Sequence, residues 1–155
     1  MDEVAVLLDR MRELEPEVYV YGPAPETAIH QLESAFGHPM PPSYRAFLAR
    51  FGGISIVNSV YSGIMDGQIE GGMGLAWQDT MRDRERWQLP AHFLVVEPDE
   101  DGPMCLDFSR KDADGEHPVV FFMPFRSGVD DSARSYVAWL GERLRYMVES
   151  REDDP

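Results

Sequence analysis

An α+β fold, with a largely antiparallel sheet flanked by N-terminal and C-terminal helices, is what this sequence predicts, and three observations carry it. Apolar residues recur at helical spacing through the first third of the chain and again near its end. They fall at alternate positions in between, and Asp-Gly turn signals separate the later apolar runs. Helices segregated from strands, without strict alternation, mark an α+β layer arrangement. At 155 residues the length suits one domain with one core. Residues 1–149 are read as that domain and residues 150–155 as a disordered acidic tail.

Taken in order, Val4, Leu7, Leu8, Met11 and Leu14 share a face and Pro16 follows, so a helix is expected over about residues 2–15. An extended piece around Val18 to Tyr21 leads to Gly22, Pro23, Ala24 and Pro25, and Pro25 suits the first turn of a second helix striped by Ile29, Leu32 and Phe36. Gly37 fits a left-handed helix end. Tyr44, Phe47, Leu48 and Phe51 then stripe a third helix, stopped by Gly52 and Gly53. From Ile54 through Val60, Tyr61, Ile64 and Ile69 the period falls to two, which begins the sheet. The glycines of 71–74 suggest a flexible bend, and Ala76 to Trp87 is helix-like, with Asp79 or Thr80 as caps and Trp77, Met81 and Trp87 inward. Three strands are expected at Phe93 to Glu97, Met104 to Phe108 and Pro118 to Met123, joined by turns at Asp101-Gly102 and Asp114-Gly115. Asp130 to Ser132 reads as the cap of a last helix striped by Tyr136, Val137, Leu140, Leu144 and Met147.

Composition narrows the function. Lys plus Arg number 14 against 28 Asp plus Glu, a formal net charge of −14, and Lys111 is the sole lysine. A surface of that sign repels phosphate backbones, which a nucleic-acid binder must grip with cations, so direct nucleic-acid binding is not expected and a basic protein partner is favoured. No apolar run approaches the roughly 20 residues that cross a bilayer. The opening Met1, Asp2, Glu3 lacks the basic region of a secretory leader, and the single Cys105 suits a reduced compartment, so a cytoplasmic protein is expected. His30, His38, His92 and His117 form no HExxH or Cys/His pattern, so no metal site is expected. Gly72, Gly74 and Trp77 fail GxGxxG, and neither a phosphate-binding GxxxxGK[ST] nor a GxSxG occurs. Asp99, Glu100, Asp101 and Gly102 match only part of a calcium loop and read as a solvated turn. No cofactor and no catalytic residue is assigned.

Several stretches together resemble the SUKH superfamily. The first is Ile29, Leu32, Glu33, Phe36, Gly37, followed by Pro41, Pro42, Ser43, Tyr44, Phe47, Leu48, Phe51, Gly52 and Gly53. The second is Cys105, Leu106, Asp107, then Gly115, Glu116, Pro118, Val119, Val120, and the third is Tyr136, Trp139, Leu140. These segments cover most of residues 25–141, while Gly71–Gly74 and Asp79–Arg86 carry no family motif.

The resemblance implies a SUKH-like fold and one of two roles. Members include bacterial immunity proteins that bind and neutralise toxins, often nucleases, and eukaryotic regulatory or scaffold domains. With the acid excess, the expectation is an immunity protein bound to a cognate, basic toxin of a polymorphic toxin system; the alternative is a regulatory or scaffold domain without a toxin partner. The expected partner-binding residues are the acids Asp66, Glu70, Asp79, Glu97, Asp99, Glu100 and Asp101, with Tyr61 or Trp77 as aromatic anchors. Monomer and weak dimer both remain open.

Overall fold

The computed structural model describes residues 1–153. Helix α1 (Asp2–Leu14) carries Asp2 and Glu3 in its first turn, where acids favour the helix dipole, and ends ahead of Pro16. Its Val4, Leu8 and Met11 are buried. Strand β1 (Val18–Val20) follows, then α2 (Glu26–Phe36), which begins after Pro25 and ends at Gly37 with φ 95, then α3 (Pro42–Arg50) with Pro42 at its first position. Strands β2 (Ile54–Ile56) and β3 (Ser59–Tyr61) join β1 in an antiparallel sheet of order β1-β2-β3. Helix α4 (Ala76–Trp87) leads to the meander β4 (Phe93–Glu97), β5 (Met104–Asp107), β6 (Val119–Met123) and β7 (Gly128–Ala133), a second antiparallel sheet in chain order. The closing helix α5 (Tyr136–Glu152) packs on α1, so the first and last helices lie together.

The fold is α+β, and the β residues divide into two sheets instead of one. After Tyr61 the chain leaves strand pairing, and Ser62 takes over. Its backbone N–H donates to the Val96 carbonyl at 2.9 Å, while the Tyr44 hydroxyl donates to the Ser62 carbonyl at 2.8 Å. The Ser62 hydroxyl donates to Asp79 Oδ2 at 2.6 Å, and one residue on, Thr80 Oγ1 accepts the Val95 N–H at 2.9 Å. All of these residues are buried. The outer edge of β4 is therefore closed by hydroxyl and amide groups from Ser62 and from α4, which satisfies backbone groups that burial would otherwise leave unpaired.

Four local expectations differ from the structure. Asp79 and Thr80 do not cap α4; Leu75 stands at its cap position with no side-chain bond, and both polar residues point inward to the network just described. Trp87, expected inward, is only partly covered. Asp130 to Ser132 do not cap α5 but lie within β7, whose residues are exposed or half-exposed, and the cap is Ser135, whose Oγ accepts the Ala138 N–H at 3.2 Å. An edge strand this polar carries no apolar alternation to betray it. Residues 150–152, expected in the tail, continue α5, because Arg10 donates to Glu152 at 2.8 Å and Arg151 lies 3.6 Å from Glu15, tying the last turn to α1 and the residue after it. Residues 154 and 155 lie outside the described residues.

Two buried aspartates bend the pH response in opposite directions. Burial raises the Asp79 carboxyl, only partly offset by the Ser62 hydroxyl and Arg82. Burial also acts to raise Asp107, but the Ser109 hydroxyl, the Ser109 N–H and Arg110 outweigh it and hold that carboxyl below its ordinary value. A raised carboxyl contributes stability that is complete in acid and lost as pH rises through the folded value; a depressed one contributes stability present above the unfolded value, about 3.9, and lost as pH falls. Chemical denaturation across the acid range is therefore expected to show Asp107→Asn costing most at neutral pH and least in acid. The balance between Asp79→Asn and the wild type should shift toward the variant as pH rises. Tyr44→Phe, which strips the Ser62 carbonyl of its donor, is expected to cost about 1–3 kcal/mol, against almost nothing for Tyr146→Phe on the exposed face of α5.

Candidate functional site

Burial divides the residues expected to meet a partner. Tyr61 and Asp79 have no exposed surface, and Trp77 and Glu97 are also buried. Tyr61 stacks edge-on against Trp139 at 5.7 Å in the core, and its hydroxyl is pushed above the ordinary range by burial. Glu97 lies 3.3 Å from Arg143, and burial raises its carboxyl. These four side chains hold the molecule together and offer a partner little or nothing. Asp66, Glu70, Asp99, Glu100 and Asp101 are exposed.

The β4–β5 turn sets the last three of those acids beside an aromatic tip. Asp99 Oδ1 accepts the Asp101 N–H at 2.8 Å, which fixes the turn. Gly102 then passes so close to the β6–β7 hairpin that a Cβ on it would stand 2.1 Å from the Phe122 carbonyl oxygen, so only glycine allows the approach. Across that contact the hairpin turn raises Phe125, which is 71% exposed. A cleft lined by Asp101, Phe121, Met123, Phe125 and Arg126 joins the acid turn to the hairpin. Behind the turn, Val129 is exposed and stands directly opposite Phe122 in the strand register.

Helix α4 supplies the other half of the surface. Trp87 ends the helix, with the next residue, Gln88, in the left-handed conformation, and its ring meets Phe125 at 5.8 Å nearly edge-on. The Arg86 guanidinium lies over the Trp87 ring at 3.6 Å, donates to the buried Asp83 Oδ1 at 2.8 Å and faces Glu100 at 3.3 Å. Arg82, one turn earlier, donates to the same Asp83 oxygen at 3.3 Å. From there a shallow cleft reaches Met73, 82% exposed in the glycine-rich bend that follows Asp66 and Glu70. The result is a strip along α4 with an apolar residue at each end, arginines pinned between them, and exposed acids on the turns and loop that flank it.

Trp87 was expected inward, and Phe125, Met73 and the two arginines were not singled out from the sequence. The apolar run from Val119 to Met123 is followed by Pro124, Phe125, Arg126, Ser127 and Gly128, in which Pro124 and Gly128 are the signal of a turn that carries Phe125. Asp79, Arg82, Asp83 and Arg86 likewise have the spacing at which helix side chains pair.

The strip exposes aromatic, apolar and charged side chains. Among the described residues no group of three or more His, Cys, Asp or Glu side chains converges on a metal position, and no helix is long and apolar enough to cross a membrane. Cys105 is buried, and burial pushes its thiol well up, against thiolate formation.

The family model described as SUKH_5: SMI1-KNR4 cell-wall matches residues 4–145. The chain belongs to this SUKH family. None of the curated proteins matches it. Within the SUKH fold, the residues that carry the resemblance join elements together. Glu33 accepts the Met40 N–H at 2.6 Å and so closes the α2–α3 connection. Glu116 accepts the Ser43 hydroxyl at 2.9 Å and the Ser43 N–H at 3.1 Å, and Ser43 Oγ accepts the Val137 N–H at 3.2 Å. One serine thus gathers the starts of α3 and α5 and the β5–β6 loop. Tyr136 and Trp139 lie in the core.

Phe125→Ala is expected to change the unfolding free energy by no more than about 0.5 kcal/mol, since the ring stands in solvent. Phe47→Ala, in the core, should cost about 3–5 kcal/mol. Urea titration of the two variants measures the contrast.

Proposed function

We propose that this protein is an immunity protein that binds a cognate, basic toxin and blocks its working surface, the toxin being a nuclease. One observation carries the reading: an aromatic tip, Trp87 and Phe125, stands beside the exposed acids Asp99, Glu100 and Asp101 on a body of net charge −14. A nuclease must hold phosphates with Lys and Arg, so an acidic surface competes for the same cations, and long-range attraction of this kind speeds encounter by roughly 10–10³-fold. Aromatic side chains at the centre of such a contact carry much of the binding free energy, on the order of 2 kcal/mol or more each when truncated. Arg86, already neutralised by Asp83 and Glu100 and stacked on Trp87, holds the indole in place without opposing a cationic partner. Asp66 and Glu70, on the loop that carries Met73, extend the acidic rim toward the other end of α4.

Co-expression with a toxin domain encoded beside this gene tests the reading. Growth is expected to be rescued by the wild type. Rescue should fail with Trp87→Ala combined with Phe125→Ala, and the on-rate measured in vitro should fall steeply with added salt and after reversal of Asp99, Glu100 and Asp101 to lysine. Rescue that survives both sets of changes would remove this surface from the account. Absence of rescue by the wild type with every neighbouring toxin domain would favour the regulatory or scaffold role.

A further inference from the structure

The second sheet has two edges, and the molecule treats them differently. The β4 edge is closed by Ser62 and Thr80, with α4 packed along it. The β7 edge is open: β6 pairs with its inner side, no strand among the described residues pairs with its outer side, and its six residues are exposed or half-exposed. An open edge presents alternate backbone N–H and C=O groups as a template for another strand.

Self-pairing at this edge is opposed. Asp130 and Asp131 are adjacent, so a second β7 laid antiparallel would set aspartates against aspartates, and like charges across strands destabilise the pair. The pairing also slips between Val119 and Val120, leaving Ser132 out of register and interrupting the ladder. Asp131 is engaged by Arg110, whose Nη1 donates to it at 3.0 Å while its Nε donates to Asp107 at 3.0 Å. Asp130 is exposed and has no ion-pair partner among the described residues. Beside the C-terminal half of the strand lies an open cleft of about 470 Å³, bounded by Asp131, Ala133 and Arg134 on one side and by Arg110, Lys111, Asp112 and Pro118 of the β5–β6 loop on the other, so its cations oppose a basic side chain while Ala133 and Pro118 suit an apolar one.

We propose that the open edge of β7 receives an extended, basic segment of a protein partner as a fifth strand, with a Lys or Arg opposite Asp130 and an alternate, apolar side chain lodged in the cleft. In recognition by strand addition, backbone hydrogen bonds supply affinity and side-chain pockets along the edge supply selectivity. Both are in place along β7. Charge decides the occupant: a second copy or an acidic segment meets Asp130 with like charge, whereas a basic segment pairs with it. The choice of a basic occupant rests on the partner proposed above, but the edge itself can be tested without that partner.

The probe is a short blocked peptide alternating lysine and valine, titrated into the isotope-labelled full chain and followed by NMR. Two further peptides serve as controls: one of equal charge with alternate backbone nitrogens methylated, and one with glutamate replacing lysine. The backbone amides of Gly128–Ala133 are expected to shift and to gain exchange protection. The methylated and glutamate peptides should bind at least about tenfold more weakly, as should the parent peptide to Asp130→Lys, a change at an exposed position of a folded chain. Equal binding of the methylated peptide, or shifts confined to the Asp99–Asp101 turn, would overturn strand addition in favour of plain charge attraction. A toxin complex that forms while the β7 amides exchange freely would refute this inference and leave neutralisation standing; failed rescue beside peptide protection would do the reverse.

Discussion

Two small sheets that share no strand pairing contribute to one apolar core, and what joins them through hydrogen bonds is a buried set of polar groups centred on Ser62. It receives the Tyr44 hydroxyl on its carbonyl, gives its amide to Val96 in the second sheet, and gives its own hydroxyl to Asp79 on α4. A serine, a tyrosine and an aspartate thus join the first sheet, α3, α4 and the second sheet at a single place. The arrangement carries a cost, because burial raises Asp79 and an unpaired buried carboxylate is among the most expensive groups a core can hold. The Ser62 hydroxyl, Arg82 and the Gly74 N–H offset that cost. A polar fastening of this kind demands one geometry, whereas an apolar contact would tolerate sliding.

That geometry reaches the surface through α4. Asp79 and Thr80 pin the first half of the helix against Ser62 and β4, which fixes the helix in rotation as well as position. With the inner face so determined, Arg82 and Arg86 emerge along its flank, and the buried Asp83 between them accepts from both guanidinium groups. Trp87 then sits where it can meet Phe125, a residue from a hairpin far away in sequence. The placement of Trp87 thus has a reason that begins in the core, and placement in advance matters because ordering a loose side chain on binding costs about 0.5–1.5 kcal/mol.

The helices were legible because their evidence is local: the stripe of Val4, Leu8 and Met11, or of Ile29, Leu32 and Phe36, together with the adjacent prolines and Gly37, fixes type and limits without tertiary information. The three apolar strands β4, β5 and β6 were legible for the same reason, their Asp-Gly turns being printed between them. Strand β7 was not, because Gly128 to Ala133 has neither alternation nor apolar content, and only pairing with β6 makes it a strand. Nor could the sequence separate the exposed acids from the buried ones. Asp79 and Asp99 are the same residue type in equally charged surroundings, and what sends one inside is Ser62, seventeen positions away, waiting with a hydroxyl. The division into two sheets depends on that same long-range contact.

The distribution of charge completes the physical picture of the surface. Most of the cations are committed inside the molecule's own ion pairs: Arg10 with Glu13 and Glu152, Arg45 with Glu26, Arg50 with Asp2, Arg110 with Asp107 and Asp131, Arg145 with Glu3. Each such pair is nearly neutral beyond its immediate neighbourhood, so the field felt at a distance belongs to the acids left over. Exposed pairs of this sort add little to stability. Their larger consequence is that the paired arginines do little to offset the excess acid felt by an approaching partner. Long-range attraction, however, brings any basic protein toward any acidic one and cannot by itself choose among them. Selection has to come from short-range features that only one partner fits, and on this molecule those features stand at the end of α4 and along the β6–β7 hairpin, on a frame whose position is set from the core.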